Sequence, residues 1–114
     1  MNKPAKQPAV SPYSPHQVSA GICLYGTSAL GFGYLADTRI DGQLRIFGDS
    51  TPTAGRGATE AMWLAAQELL DAGVRGHVAV HIDVGDVPMV AVFKLGDLPA
   101  FGGLVWRRGS TVQA

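Results

Sequence analysis

The sequence is short of cysteine, and this limits how the fold can be stabilised. Cys23 is the one cysteine among 114 residues. A single thiol excludes an internal disulfide bond and a cysteine-based zinc site. Its scarcity is also typical of proteins kept in a reducing cytosol.

An excess of charge of either sign is absent as well. Nine lysines and arginines balance nine aspartates and glutamates, so the formal net charge is zero. Proteins that bind a phosphate backbone usually carry a basic excess or a basic stripe. The arginines here are spread along the chain, so nucleic-acid binding is disfavoured, although a local patch keeps it open. Weak self-repulsion also tolerates a protein partner or a homodimer.

Long apolar runs are missing, and the first residues lack the apolar core of a secretion signal. We therefore expect a soluble cytoplasmic protein without membrane association. Prolines at positions 4, 8, 12 and 15 predict an extended, disordered N-terminal tail over residues 1–16. We expect a single domain over residues 17–109 and a C-terminal tail at 110–114.

The first half of this domain has the pattern of three strands. Apolar and small or polar residues alternate over 17–26, which predicts a strand with one core face. A second strand over 30–39 is interrupted by Gly31 and Gly33, which indicates twist or the close approach of another backbone segment. Asp41-Gly42 is a hairpin-turn signal before a third strand at 44–48. Together they predict an antiparallel meander.

The second half begins with a helix over 56–72 and a glycine at its C-terminal end, Gly73. A strand at 77–84 follows, and a right-handed crossover would place it parallel to an earlier strand. Residues 88–95 predict another strand, with a short helix left open, and 104–108 an edge strand. The order β-β-β-α-β(-β-β) is typical of an α/β (α+β) domain with a mixed sheet and one main helix.

Two stretches of this pattern, GATEAMWLAAQELL and HVAVHIDVGDV, resemble the first half of the ribonuclease H-like fold. The resemblance covers roughly residues 18–88. It implies that Glu60 takes the helix carboxylate position and Asp83 the carboxylate position at the strand end. Active members hold two magnesium ions with several carboxylates and hydrolyse phosphodiesters.

The chain departs from the family where the first strand should supply an aspartate, because Tyr25 stands there. After the strand that ends in aspartate, the family has a further helix, a further strand and a late acid near the C-terminus. This part of the pattern is missing too, and Asp97 is the last acid of the sequence. The resemblance therefore implies a truncated, catalytically degenerate member. Replacement of the missing acid by Asp37 or Asp86, or by a dimer partner, stays open.

Both matched carboxylates also have an ordinary structural explanation. Glu60 opposes the helix dipole in the first turn, and Asp83 sits where turn-forming acids are routine. His81 shares a strand face with Asp83, but two ligands are too few for a transition-metal site. The clean alternation of this strand predicts one sheet face that is open or meets a partner.

Our leading hypothesis is a small non-catalytic interaction module, an inhibitor or adaptor, that binds a protein partner and needs no cofactor. The candidate binding residues are Trp106, Arg107, Arg108 and His81. One alternative is a Mg²⁺-dependent nuclease that uses Glu60 and Asp83 as catalytic and metal-binding residues. A second alternative is a nucleic-acid-binding domain.

Overall fold

The computed structural model of the protein describes residues 6–10 and 18–113. Its elements, in chain order, are β1 Lys6–Val10, β2 Ala20–Thr27, β3 Gly31–Ile40, β4 Gln43–Asp49, α1 Ala58–Asp71, β5 His77–Val84, β6 Val87–Lys94, a 3₁₀ turn Phe101–Gly103, β7 Arg107–Arg108 and β8 Ser110–Gln113.

Six of the strands form one mixed sheet in the order β4-β3-β2-β5-β6-β7. The predicted meander is confirmed, because β2, β3 and β4 pair antiparallel in sequence. The crossover through α1 brings β5 parallel to β2, with Ile22 beside Val80. Strand β6 turns back antiparallel to β5. The fold is thus mixed α+β, with one main helix on a six-stranded sheet.

The turn between β3 and β4 is the one that its sequence predicts. Asp41 and Gly42 both have positive φ, 52° and 80°, and they connect the paired residues Ile40 and Gln43. A two-residue loop with two positive φ values matches the twist of antiparallel strands.

Strands β1 and β8 pair antiparallel in a separate two-stranded sheet. They fall within the segments that the sequence predicts as terminal tails, 1–16 and 110–114. The other residues of these two segments, 1–5, 11–16 and 114, lie outside the described residues.

Helix α1 ends in a hydrogen-bonded glycine cap. Gly73 has φ 90° and donates its N–H to the carbonyl of Leu70, and Val74 donates to the carbonyl of Leu69. This pair of bonds is the Schellman arrangement, which satisfies the last carbonyls of a helix. The predicted cap is therefore confirmed.

One stripe of α1 packs on the sheet and forms the core with it. The fully buried helix residues are Ala61, Met62, Ala65, Ala66 and Leu69. Burying a side chain such as Met62 or Leu69 stabilises the fold by about 1.5–3 kcal/mol each. The small alanines between them let the helix backbone approach strands β2 and β3, against which it packs.

The glycines of β3 are required because another backbone segment passes close to them. A Cβ built on Gly33 would lie 2.4 Å from the carbonyl oxygen of Thr51, and one on Gly31 would lie 1.8 Å from that of Thr53. The loop between β4 and α1 therefore lies directly on β3. The close approach predicted from the glycine pattern is confirmed.

A polar contact also joins the helix to β3. The hydroxyl of Tyr34 donates a hydrogen bond to the carboxylate of Glu68. Desolvation, followed by this hydrogen bond, raises the pKa of Tyr34 to about 12. The guanidinium of Arg56 lies 5.7 Å from the centre of the tyrosine ring and opposes that shift.

The segment after β6 is held by the two tryptophans of the chain. The indole N–H of Trp63 donates to the carbonyl of Pro99, and that of Trp106 donates to the carbonyl of Phe101, both at 3.0 Å. The rings of Phe101 and Trp106 are 4.7 Å apart. Leu104 and Trp106 pack against the core.

Residues 87–94 form strand β6, so the strand predicted over 88–95 is confirmed and the alternative of a short helix is wrong for this described stretch. The edge strand expected over 104–108 is wrong in extent, because β7 covers only Arg107–Arg108. Of the preceding residues, Leu104 and Trp106 pack against the core, whereas Val105 is exposed.

No helix among the described residues has the length and apolar character needed to cross a membrane.

We expect Gly33→Ala to lower the free energy of unfolding by about 1–3 kcal/mol, because the new methyl group meets backbone that cannot rotate away. Urea denaturation followed by circular dichroism measures the loss. Gly102→Ala is the matched control, since a Cβ at Gly102 has no atom within 4 Å. An equal effect of the two substitutions would contradict the close approach.

We expect Glu68→Gln to lower the pKa of Tyr34 from about 12 towards 10, because the charged acceptor is removed. Absorbance at alkaline pH reports phenolate formation, and Tyr34→Phe identifies the contribution of this residue. A raised folded-state pKa means that the stabilisation is complete below the unfolded value of 10 and is lost as pH rises to about 12. An unchanged titration in Glu68→Gln would show that the hydrogen bond does not form.

Candidate functional site

The two faces of the sheet differ in what covers them. The front face carries α1 and the core, with Ile22, Leu24 and Val80 buried there. The residues between them in sequence project to the opposite face, which we call the rear face. The rear face is buried around Ala79 and Val90 but exposed over β2, β3 and β4, where Ile46 is 60% and Leu44 54% exposed.

A groove runs along β2 on this rear face. It consists of two adjoining depressions of about 510 and 470 Å³ that share Gly21, Asp37 and His81 as lining residues. The first extends to Arg39 and Leu44. The second contains Cys23, Tyr25 and Asp83. We call these lining residues together the rear groove.

Strand register brings the polar residues of the rear groove together. Cys23 on β2 lies beside His81 on the parallel strand β5, and Gly21 lies opposite Asp37 on β3. The carboxylate of Asp37 lies over Gly21, since a Cβ there would be 2.7 Å from its oxygen. Because Gly21 has no side chain, its backbone forms the floor of the groove.

Desolvation favours the neutral forms of three side chains of the groove, Cys23, Tyr25 and His81. Desolvation raises the pKa of the Cys23 thiol, and the nearby carboxylates of Asp37 and Asp83 add to the shift. Desolvation likewise raises the pKa of the Tyr25 phenol. It lowers the pKa of His81, against the opposing effect of Asp37. At neutral pH the groove thus presents a thiol, a phenol and a neutral imidazole beside two carboxylates.

This combination lacks the features of an activated nucleophile. Reactive cysteines have a lowered pKa, usually through a neighbouring cation. The charged neighbours that act on Cys23 are both acids, so they hold the proton on sulfur. Among the residues that the structure describes, no group of three His, Cys, Asp or Glu side chains could hold a metal ion.

The two carboxylates matched to the ribonuclease H-like pattern lie in different places. Glu60 is exposed in the first turn of α1, on the front side of the sheet. Asp83 lines the rear groove with Tyr25. The structure thus brings Asp83 together with Tyr25, Asp37 and His81, and it does not bring Asp83 together with Glu60.

The remaining candidate residues are separated from the groove or have structural contacts. Trp106 is half-buried, and its hydrogen bond and ring contact with Phe101 account for its position. Arg107 and Arg108 form the short edge strand β7 and are exposed. Of the four binding candidates, His81 alone lines the rear groove.

The sequence suggested Asp37 only as a possible replacement for the missing acid, and it gave no site role to Cys23. The alternation of β2 already places Gly21, Cys23 and Tyr25 on the face opposite the core. The pairing of β2 with β3 and β5 was needed to place Asp37 and His81 beside them. Pairing the residues of adjacent predicted strands is the signal that could have found this cluster.

No protein-family model, curated protein or solved structure matches this chain. The resemblance to the ribonuclease H-like fold therefore stays a prediction from the sequence.

We expect the free energy of unfolding to fall as pH is lowered from about 7 towards 5, in part because of His81. Its pKa is lowered in the folded state. The unfolded chain therefore takes up a proton near the ordinary pKa of about 6.5, and the folded chain takes it up only at lower pH. Urea denaturation at a series of pH values measures the slope.

His81→Gln should flatten this pH dependence. His77→Gln is the matched control, because His77 is exposed on the same strand and the same face, and it should leave the slope as in the parent protein. Equal slopes for the parent protein and His81→Gln would contradict the burial of a neutral imidazole.

Proposed function

We propose that this domain is a non-catalytic interaction module that binds a protein partner in the rear groove. The proposal is supported by the rear groove, which offers neutral hydrogen-bonding side chains and carboxylates on an exposed face of the sheet. Tyr25 is 40% exposed there, and Leu44 and Ile46 provide exposed apolar surface nearby. Aromatic and apolar groups beside oriented polar groups are typical of protein recognition.

We further propose that the scaffold is a reduced ribonuclease H-like sheet. Three antiparallel strands, a crossover helix and a fourth strand parallel to the first support this interpretation. The chain departs from the family after β5, since a two-residue turn at Gly85-Asp86 leads directly into the antiparallel strand β6. The family has a further helix at that point.

A protein is a better occupant of the groove than a nucleic acid. The carboxylates of Asp37 and Asp83 line the groove, and Arg39 at one end is the cation among its lining residues. A phosphate backbone placed there would meet like charge, whereas nucleic-acid affinity is dominated by phosphate contacts with cations. A basic or amide-rich segment of a protein would meet complementary groups.

Binding also fits the groove better than catalysis does. The thiol of Cys23 and the phenol of Tyr25 both have a raised pKa, so neither is poised to attack or to bind Mg²⁺ as an anion. A two-metal nuclease needs carboxylates that lie close enough together to hold two adjacent metal ions. Glu60 lies on the front side and Asp83 on the rear.

We expect Asp83→Arg to weaken binding of the partner by at least about tenfold, because it reverses a charge inside the groove. The partner is isolated on the immobilised protein and purified, and its affinity is then measured by calorimetry. Asp71→Arg makes the same exchange at an exposed residue at the end of α1, away from the groove, and should leave the affinity unchanged.

Two results would overturn the proposal. One is partner binding that Asp83→Arg and Tyr25→Ala both leave intact. The other is cleavage of an RNA–DNA hybrid in Mg²⁺ or Mn²⁺ that disappears in Asp83→Asn, since this is the behaviour of the nuclease alternative. A salt-dependent mobility shift with single-stranded nucleic acid, lost in Arg39→Ala, would favour the nucleic-acid alternative instead.

A further inference from the structure

The outer edge of β4 is a long strand edge on the surface of the domain. Strand β4 is the last strand of the six-stranded sheet, and six of its seven residues are exposed. The opposite edge is β7, which has only two residues. A long edge with unpaired backbone groups is a template for another strand, and proteins usually shorten or cover such edges.

The hairpin turn determines which backbone groups face outward. A two-residue loop makes the closing pair, Ile40 and Gln43, a hydrogen-bonded pair. The odd-numbered residues of β4 therefore bond to β3. In a regular antiparallel ladder the N–H and C=O groups of Leu44 and Ile46 then point away from the sheet. An antiparallel partner strand must pair these even-numbered residues with outward groups of its own.

The sequence of β4 is complementary to itself in one such register. If two copies pair antiparallel around Phe47, Arg45 of each copy lies opposite Asp49 of the other. This opposition occurs twice by symmetry. Pairing around Arg45 would set Arg45 against Arg45. Pairing around Ile46 would set Arg45 against Phe47, with no directly opposed charges.

We propose that the protein forms a symmetric dimer through antiparallel pairing of two β4 strands centred on Phe47. The two Arg45–Asp49 pairs lie in the non-hydrogen-bonded positions, where cross-strand side chains are closest. On the other side of the strand, Ile46 of each copy lies over Gly48 of its partner. Ile46 is 60% exposed in the single chain, so the partner strand covers apolar surface there.

Other properties of the chain are compatible with this dimer. The formal net charge is zero, so two copies do not repel each other at long range. The backbone N–H of Thr51 donates to Asp49 at 2.9 Å, and this bond lowers the pKa of the carboxyl. Asp49 therefore stays ionised throughout the neutral range.

Charge reversal tests the register directly. Sedimentation equilibrium of the full chain should show a reversible dimer. Arg45→Asp sets acid against acid at both pairs, and Asp49→Arg sets arginine against arginine. Each single variant should raise the dimer dissociation constant on the order of tenfold or more, because opposed like charges replace opposed unlike charges twice.

A mixture of the two variants is the decisive test of the register. A heterodimer of Arg45→Asp with Asp49→Arg sets acid against arginine at both positions, so the mixture should recover dimerisation that neither variant shows alone. Native mass spectrometry distinguishes the heterodimer from the two homodimers. Both residues are exposed, and circular dichroism of each variant should match that of the parent protein.

A parent chain that stays monomeric at every attainable concentration would overturn the proposal. So would single variants that dimerise like the parent, or a mixture that recovers nothing, since both results exclude this register. The inference concerns the edge of β4 and does not depend on the rear groove. Asp83→Arg should therefore leave the dimer intact, and Arg45→Asp should leave partner binding in the groove intact.

Discussion

The parallel pairing of β2 with β5 is the contact on which both faces of the sheet depend. The crossover through α1 sets it, and right-handed crossovers are the rule for such units. Because side chains alternate between the two faces along both strands, this one register determines which residues lie together on each face. It places Ile22 beside Val80 in the core and Cys23 beside His81 on the rear face. A shift of one residue would exchange these faces, burying the polar set and exposing the apolar one.

The chemistry of the rear groove follows from this arrangement and from partial burial. The side chains of Cys23 and His81 are removed from water far enough to disfavour their charged forms, and the carboxylates of Asp37 and Asp83 do not activate the thiol. A site of this kind offers shape and hydrogen bonds and no strong nucleophile. The proposed ribonuclease H-like scaffold is compatible with this conclusion, because a scaffold can keep its strand order while its site takes another role.

Much of the fold could be predicted from the sequence, because its signals are local. The alternation of β5, the Asp41-Gly42 turn and the Gly73 cap each reflect the backbone conformation of a few residues. The late segment was harder to predict, since Leu104 and Trp106 are held by contacts with residues distant along the chain or in the core. The groove was harder still. Asp37 and His81 are 44 positions apart, and only the pairing of both strands with β2 brings them to one place.

The two tryptophans have a consequence for spectroscopy. Trp63 and Trp106 are the only tryptophans of the chain, and each donates its indole N–H to the loop that follows β6. Their emission therefore reports on how that loop is seated against the helix and the core. A ligand in the groove on the other side of the sheet would leave the emission largely unchanged, and detachment of the loop alone would imitate an unfolding transition while the sheet stayed intact.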